Sequence, residues 1–82
     1  MFFKKLTDLD ITILSLAQCL YVRGLDSFNE MSEIGRNYWI DKYDQNLPKL
    51  VDDELNKGKT NKKWIKKALS AGKYYNQDMM NV

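Results

Sequence analysis

Carboxylates, lysines and one cysteine are the side chains of this sequence that are able to do chemistry. Histidine is absent, which removes the commonest general base and a frequent metal ligand. Cys19 lies in an apolar stretch without a histidine to activate it, so we interpret it as a small core residue. One cysteine cannot form an internal disulfide, and a reducing, cytoplasmic location is the expectation. We therefore predict a protein that is not an enzyme, with no catalytic residues, cofactor or metal site.

The charged residues are strongly segregated along the chain. Residues 8–54 contain ten acidic side chains and four basic ones, whereas residues 57–73 contain seven lysines and no acid. The formal net charge of +2 conceals this asymmetry. Segregation of this kind predicts two surfaces of opposite sign, and it indicates the type of partner better than the overall charge does.

The lysines of the C-terminal part form a basic face on a helical wheel. Closely spaced ammonium groups attract phosphates, anionic lipids or an acidic protein surface. The alternative is a solvated face that keeps a small protein soluble. The predicted basic face consists of Lys59, Lys62, Lys63, Lys66, Lys67 and Lys73.

Gly58 stands just before this segment and allows a helix-turn-helix interpretation, with residues 60–69 as the recognition helix. Two positions disagree: Glu54 replaces the usual small residue, and Lys59 replaces the usual apolar one. The segment has no arginine, the usual reader of guanine, while lysine suits contacts to the phosphate backbone. Nucleic-acid binding through the lysine-rich last helix is therefore the alternative to protein binding.

The second predicted helix carries an acidic face, which consists of Glu30, Glu33, Asp41 and Asp44. This face either meets a basic protein surface or is simply solvated. Glu33, Asn37 and Asp41 also have the spacing for a divalent metal. Carboxylate metal sites in bundles, however, use inward-pointing carboxylates and histidines, and these side chains are expected to point outward.

Residues 9–22 form the most continuously apolar stretch and predict the central helix. Thr7 and Asp10 have the spacing of a capping box, and Gly24 is a terminator, so we expect a helix over residues 8–23. A helix that is apolar on nearly all sides is either central in its bundle or covered by a second chain. In the second case, Ile13, Leu16, Leu20 and Tyr21 form the interface of a homodimer.

Three further helices are predicted. Ser27 and Glu30 form a second capping box, which opens a helix over residues 28–44. Pro48 suits the start of a helix over residues 48–57, which Gly58 ends. Thr60 then caps a helix over residues 60–72, or longer if it continues past Gly72.

The apolar positions of these helices give the expected core. In the second helix the inward residues are Phe28, Met31, Ile34, Tyr38, Trp39 and Tyr43. In the third they are Leu47, Leu50, Val51 and Leu55, while Asp52, Asp53 and Glu54 face water. In the fourth they are Trp64, Ile65, Ala68 and Leu69.

The sequence therefore predicts an all-α fold, a small bundle of about four helices around the apolar first one. We expect a single domain over residues 1–82, with residues 1–6 as an arm and residues 73–82 as a tail or helix extension. The apolar stretch is too short to cross a membrane. We predict a small regulatory or inhibitory protein that binds another protein, one with an acidic surface. Its size and its lysine, asparagine and tyrosine content are typical of accessory proteins of phages or mobile elements.

Overall fold

The computed structural model describes residues 7–61 and residue 63, and the fold of this part is all-α. It contains α1 (Asp8–Val22), a single 3₁₀ turn (Phe28–Glu30), α2 (Glu33–Lys42) and α3 (Leu47–Thr60). The predicted all-α class is confirmed. The four-helix bundle is not, because the described part contains three α-helices. The predicted fourth helix, the N-terminal arm and the C-terminal tail lie outside the described residues.

Helix α1 begins and ends where its sequence indicates. Thr7 Oγ1 accepts a hydrogen bond from Asp10 N (3.1 Å), and Asp10 Oδ2 accepts one from Thr7 N (3.0 Å). This capping box satisfies backbone donors that the first turn leaves without a partner. Gly24 follows the helix with a φ of +73°, a left-handed conformation that costs glycine little. Both predicted signals are confirmed.

The middle of α1 is buried on every side, as expected of a central helix. Residues 15–20 are all buried, and Leu16, Ala17 and Leu20 have no exposed surface. Within the described part, α1 packs mainly on α3. The core that results contains Leu16, Ala17, Cys19, Leu20, Phe28, Met31, Trp39, Leu47, Val51 and Leu55.

The predicted second helix over residues 28–44 is interrupted. The capping box of Ser27 and Glu30 is present, but it opens only one 3₁₀ turn. Met31 is extended (φ −68°, ψ 161°), and Ser32 then starts α2 by accepting a hydrogen bond from Gly35 N (3.2 Å). Serine at a helix start competes with continuation of the preceding helix because its hydroxyl satisfies a free backbone donor.

The interruption corrects the predicted core stripe of the second helix. Phe28, Met31 and Trp39 are buried, but Ile34 and Tyr38 are exposed. The predicted stripe assumes one continuous helix from Phe28. Met31 and Ser32 lie outside a helix, so the residues after them are rotated relative to the predicted stripe. Ile34 and Tyr38 therefore face the surface.

Helix α3 is longer than predicted, because it starts at Leu47 and continues through Gly58 to Thr60. Gly58 is buried and extends the stripe of Leu47, Val51 and Leu55. The turn that a helix-turn-helix motif requires is therefore absent at Gly58. Thr60 belongs to the last turn of α3, where its hydroxyl donates to Lys57 O (3.2 Å), and it does not start a new helix.

Three predicted orientations in α3 are also wrong. Glu54 is predicted to face water, but its side chain is only 19% exposed beside Lys57. Leu50 is 40% exposed, since it lies about 100° around the helix from the buried Val51. Asp52 was expected to face water, but its Oδ1 accepts a hydrogen bond from Phe28 N (2.8 Å). Asp53 is exposed, as predicted.

Candidate functional site

Helix α2 presents two large apolar side chains to solvent. Ile34 is 75% exposed and Tyr38 is 45% exposed. They are four residues apart, so they lie on the same side of the helix, one turn above the other. These two side chains form an apolar strip that the rest of the described chain leaves uncovered.

A polar row runs beside this strip. Glu33, Asn37 and Asp41 follow one another at four-residue spacing, and all three are exposed. Neither Glu33 nor Asp41 forms a hydrogen bond or ion pair through its carboxylate with any other described residue. We call the surface formed by Glu33, Ile34, Asn37, Tyr38 and Asp41 the outer face of α2.

The other two members of the predicted acidic face serve local structure. Glu30 Oε2 accepts hydrogen bonds from the backbone N–H groups of Asp26 and Ser27, the latter at 3.0 Å. Asp44 Oδ1 accepts one from Asn46 N (2.8 Å) in the turn before α3. The structure therefore separates the acidic face into two carboxylates on α2 and two that stabilise turns.

The inner side of α2 holds the helix in place. Trp39 is buried and stacks nearly parallel to Tyr43, with ring centroids 6.4 Å apart. The Tyr43 hydroxyl lies 3.0 Å from Thr12 Oγ1 and links α2 to α1. These contacts fix the rotation of α2 and hence the direction in which its outer face points.

Lys42 bounds the outer face at its C-terminal end. Its Nζ lies 5.9 Å from the ring centroid of Tyr38, 5.5 Å from that of Trp39 and 5.8 Å from that of Tyr43. An ammonium group at such distances is attracted by the ring quadrupoles. The strip of Ile34 and Tyr38 thus has carboxylates on one flank and a cation on the other.

The predicted basic face falls mostly outside the described residues. Of its members only Lys59 and Lys63 are described. Lys59 Nζ forms an ion pair with Asp26 Oδ1 at 2.9 Å. Lys63 is exposed, and its backbone N–H donates to Asn61 Oδ1 (3.0 Å). Lys62, Lys66, Lys67 and Lys73 lie outside the described part.

The residues proposed for self-association are divided between core and surface. Leu16 and Leu20 have no exposed surface within a single chain. Ile13 is half-buried, and Tyr21 is 37% exposed. Of the four, Tyr21 alone is exposed, and the neighbouring Val22 is exposed as well.

A groove of about 360 Å³ runs between α1 and α3. Its apolar lining comes from Ile13, Leu14 and Leu50, and its rim carries three carboxylates and Lys57. The Lys57 ammonium lies 3.7 Å from a Glu54 carboxylate oxygen. Carboxylates of the rim already have interactions within the chain, Asp10 through its capping box and Glu54 through Lys57.

Within residues 7–61 and 63, no three Cys, Asp or Glu side chains are close enough together to hold a metal ion. No helix in this same part has the length and apolar character needed to cross a membrane. Comparisons of the chain with protein-family models, with curated proteins and with solved structures found no match.

The exposure of Ile34 and Tyr38 is the feature that the sequence analysis missed. A signal for it exists in the sequence, because Ser32 is a good helix-starting residue just before Glu33. Treating Ser32 as a second start would have separated Ile34 and Tyr38 from the stripe of Phe28 and Met31, although it would not have shown which side of α2 faces out.

Proposed function

We propose that this chain is a small non-enzymatic regulatory or inhibitory protein that binds another protein through the outer face of α2. The exposed pair of Ile34 and Tyr38 carries the proposal. Single exposed apolar residues are ordinary, but two of them stacked on one helix face, with a rim of charges, have the composition of a small interface. Covering each side chain releases up to about 1.5–3 kcal/mol of hydrophobic free energy.

The chain's other properties agree with a binding role. The acidic stretch of residues 8–54 favours a basic partner for this face, and its field speeds the encounter with such a partner. This differs from the acidic-surfaced partner predicted from the lysine-rich segment, most of which lies outside the described residues. We place the protein in the cytoplasm, where its single, buried Cys19 stays reduced. An accessory protein of a phage or mobile element is the biological setting that we propose.

The proposal is tested by affinity capture from the source cell with three baits. They are the natural chain, the double variant Ile34→Ser/Tyr38→Ser, and Leu50→Ser. Leu50 is a matched control because it is an exposed apolar residue on another helix. We expect a protein that the natural chain and Leu50→Ser retain equally and that the double variant loses, with or without nuclease.

Equal capture by all three baits would overturn the proposal. Melting curves followed by circular dichroism show whether each variant stays folded. Ile34 is 75% exposed, whereas the Tyr38 ring also packs edge-on against Trp39 at 4.9 Å between centroids, so we expect the double variant to melt below the natural chain but still in one cooperative transition.

Nucleic-acid binding through the lysine-rich segment is the competing proposal. It predicts a mobility shift of duplex DNA or RNA at low salt, lost when Lys62, Lys63, Lys66 and Lys67 become glutamate. Absence of a shift at low salt eliminates it. The ion pair of Lys59 with Asp26 already occupies one lysine of that segment.

A further inference from the structure

The geometry of α2 points to the chemistry of the partner, and this inference depends on the proposed function. We propose that the outer face of α2 binds a basic helix, one that carries two lysines or arginines seven or eight residues apart and an apolar side chain between them. The apolar side chain packs on Ile34 and Tyr38. The two basic groups pair with Glu33 and Asp41.

The spacing follows from the two carboxylates. Glu33 is in the first turn of α2 and Asp41 in the last. At about 1.5 Å per residue they are separated by about 12 Å along the helix axis. Basic residues seven or eight positions apart on a partner helix that lies along α2 have nearly the same separation.

The position of the apolar strip determines where the partner's apolar side chain lies between its two basic residues. Tyr38 lies between Glu33 and Asp41 along the axis; it is next to Asp41, three residues away, while Ile34 lies beside Glu33 at the other end of the strip. A partner residue between the two basic positions therefore meets the Tyr38 ring and the Ile34 side chain. Tyrosine suits this place, because its ring provides contact area and its hydroxyl stays in water.

Lys42 determines the side from which the basic groups approach. Its ammonium group lies over the rings of Tyr38, Trp39 and Tyr43. A second cation on that flank meets like charge and rings that are already occupied. The basic groups of the partner consequently fall on the opposite flank, where Glu33 and Asp41 lie.

The charge of this face also selects against other classes of partner. Nucleic acids and anionic membranes present phosphates, which two exposed carboxylates repel. The remaining aspartates and glutamates of residues 8–54 add to the negative field. A basic polypeptide is the class of macromolecule that complements both the carboxylates and the apolar strip.

The test uses two designed helical peptides of equal length as probes. Both have an alanine background and a central leucine. One carries lysines seven residues apart on the two sides of the leucine, and the other carries glutamates at the same positions. Titration into the ¹⁵N-labelled full chain should shift the amides of α2 with the lysine peptide and leave them unchanged with the glutamate peptide.

Neutral variants test whether Glu33 and Asp41 themselves pair with the peptide or whether they only add to the negative charge of the chain. Glu33→Gln/Asp41→Asn is compared with Asp8→Asn/Asp53→Asn, which removes the same charge at two other exposed positions. Because exposed ion pairs are individually weak, we expect the first variant to bind the lysine peptide about three- to tenfold more weakly. The second should bind it nearly as well as the natural chain.

Three outcomes overturn the inference: no binding of the lysine peptide, shifts centred on the groove between α1 and α3, or equal loss in both neutral variants. The proposed function has its own readout in the cellular capture. A cellular protein that Ile34→Ser/Tyr38→Ser loses and Glu33→Gln/Asp41→Asn retains would leave the function standing and exclude the basic partner.

Discussion

Gln18 is a polar residue whose side chain is buried in the core. It is only 2% exposed, and neither its amide nitrogen nor its amide oxygen has a hydrogen-bond partner among residues 7–61 and 63. A buried polar group without a partner costs about 1–3 kcal/mol. Gln18 thus lowers the stability of the helix that forms the centre of the core.

Replacing this amide with an apolar group of similar length should stabilise the protein. We expect Gln18→Met to raise the free energy of unfolding by about 1–2 kcal/mol in urea titrations. Gln45→Met is the control, since Gln45 is exposed in a turn, and its effect should stay within about 0.5 kcal/mol. A lower stability of Gln18→Met would show that the amide is satisfied in solution.

Among the elements, the connection between α1 and α2 depends on α3 for its conformation. Asp52 Oδ1 accepts from Phe28 N (2.8 Å), and its Oδ2 lies 3.4 Å from Ser27 Oγ. Lys59 forms its ion pair with Asp26 in the same connection. These contacts hold the 3₁₀ turn against α3 and keep the Phe28 ring in the core.

Removing the Asp52 carboxylate should weaken this attachment. We expect Asp52→Ala to lower the free energy of unfolding by about 1–3 kcal/mol, because the half-buried Phe28 N–H loses a charged acceptor. The neighbouring Asp53 is exposed, and Asp53→Ala should change stability by less than about 0.5 kcal/mol. Equal effects in chemical denaturation would contradict a specific role for Asp52.

Ser32 is the residue that starts α2, and two substitutions test it. Ser32→Ala removes the hydroxyl that accepts from Gly35 N and should cost about 1 kcal/mol. Ser32→Asp supplies another acceptor and a favourable charge at the helix start, so it should retain the natural stability. Thermal unfolding of the two variants measures the difference, and an equal loss in both would exclude capping as the cause.

On the scale of the whole molecule, self-association through α1 stays a prediction, now with a smaller surface. Leu16 is fully buried in one chain, so Leu16→Ala should lower stability by about 2–5 kcal/mol at every protein concentration. Tyr21→Asp/Val22→Asp changes the exposed apolar side chains at the end of α1. Light scattering coupled to size-exclusion chromatography should show a dimer of the natural chain and its loss in that double variant. A clean monomer at high micromolar concentration would exclude the dimer.

Local signals in the sequence predicted much of the backbone. The capping boxes of Thr7 with Asp10 and of Ser27 with Glu30 involve residues three positions apart, and the terminator Gly24 acts within one turn. Such interactions depend little on the rest of the fold. The bounds of α1 and the burial of Cys19 and Trp39 could therefore be predicted from the chain alone.

Competing local signals and distant contacts limited the remaining predictions. Ser27 and Ser32 can each start a helix, and the sequence does not show which one wins. Glycine is a frequent terminator, yet Gly58 is buried here and α3 continues past it to Thr60, while Lys59 pairs with Asp26, which is 33 residues away in the sequence. The candidate site was likewise predicted only in part. Its carboxylates Glu33 and Asp41 were predicted, and its apolar strip was not.

The sequence by itself determined the helical class, the start of α1 and the segregation of charge, because these depend on residue type and short spacing. Only the tertiary structure decided which sides of the helices face out. Periodicity gives the angles between side chains within one helix but not the direction in which that helix is turned. The packing of Trp39 and Tyr43 against the core sets that direction for α2, and it leaves Ile34 and Tyr38 on the surface.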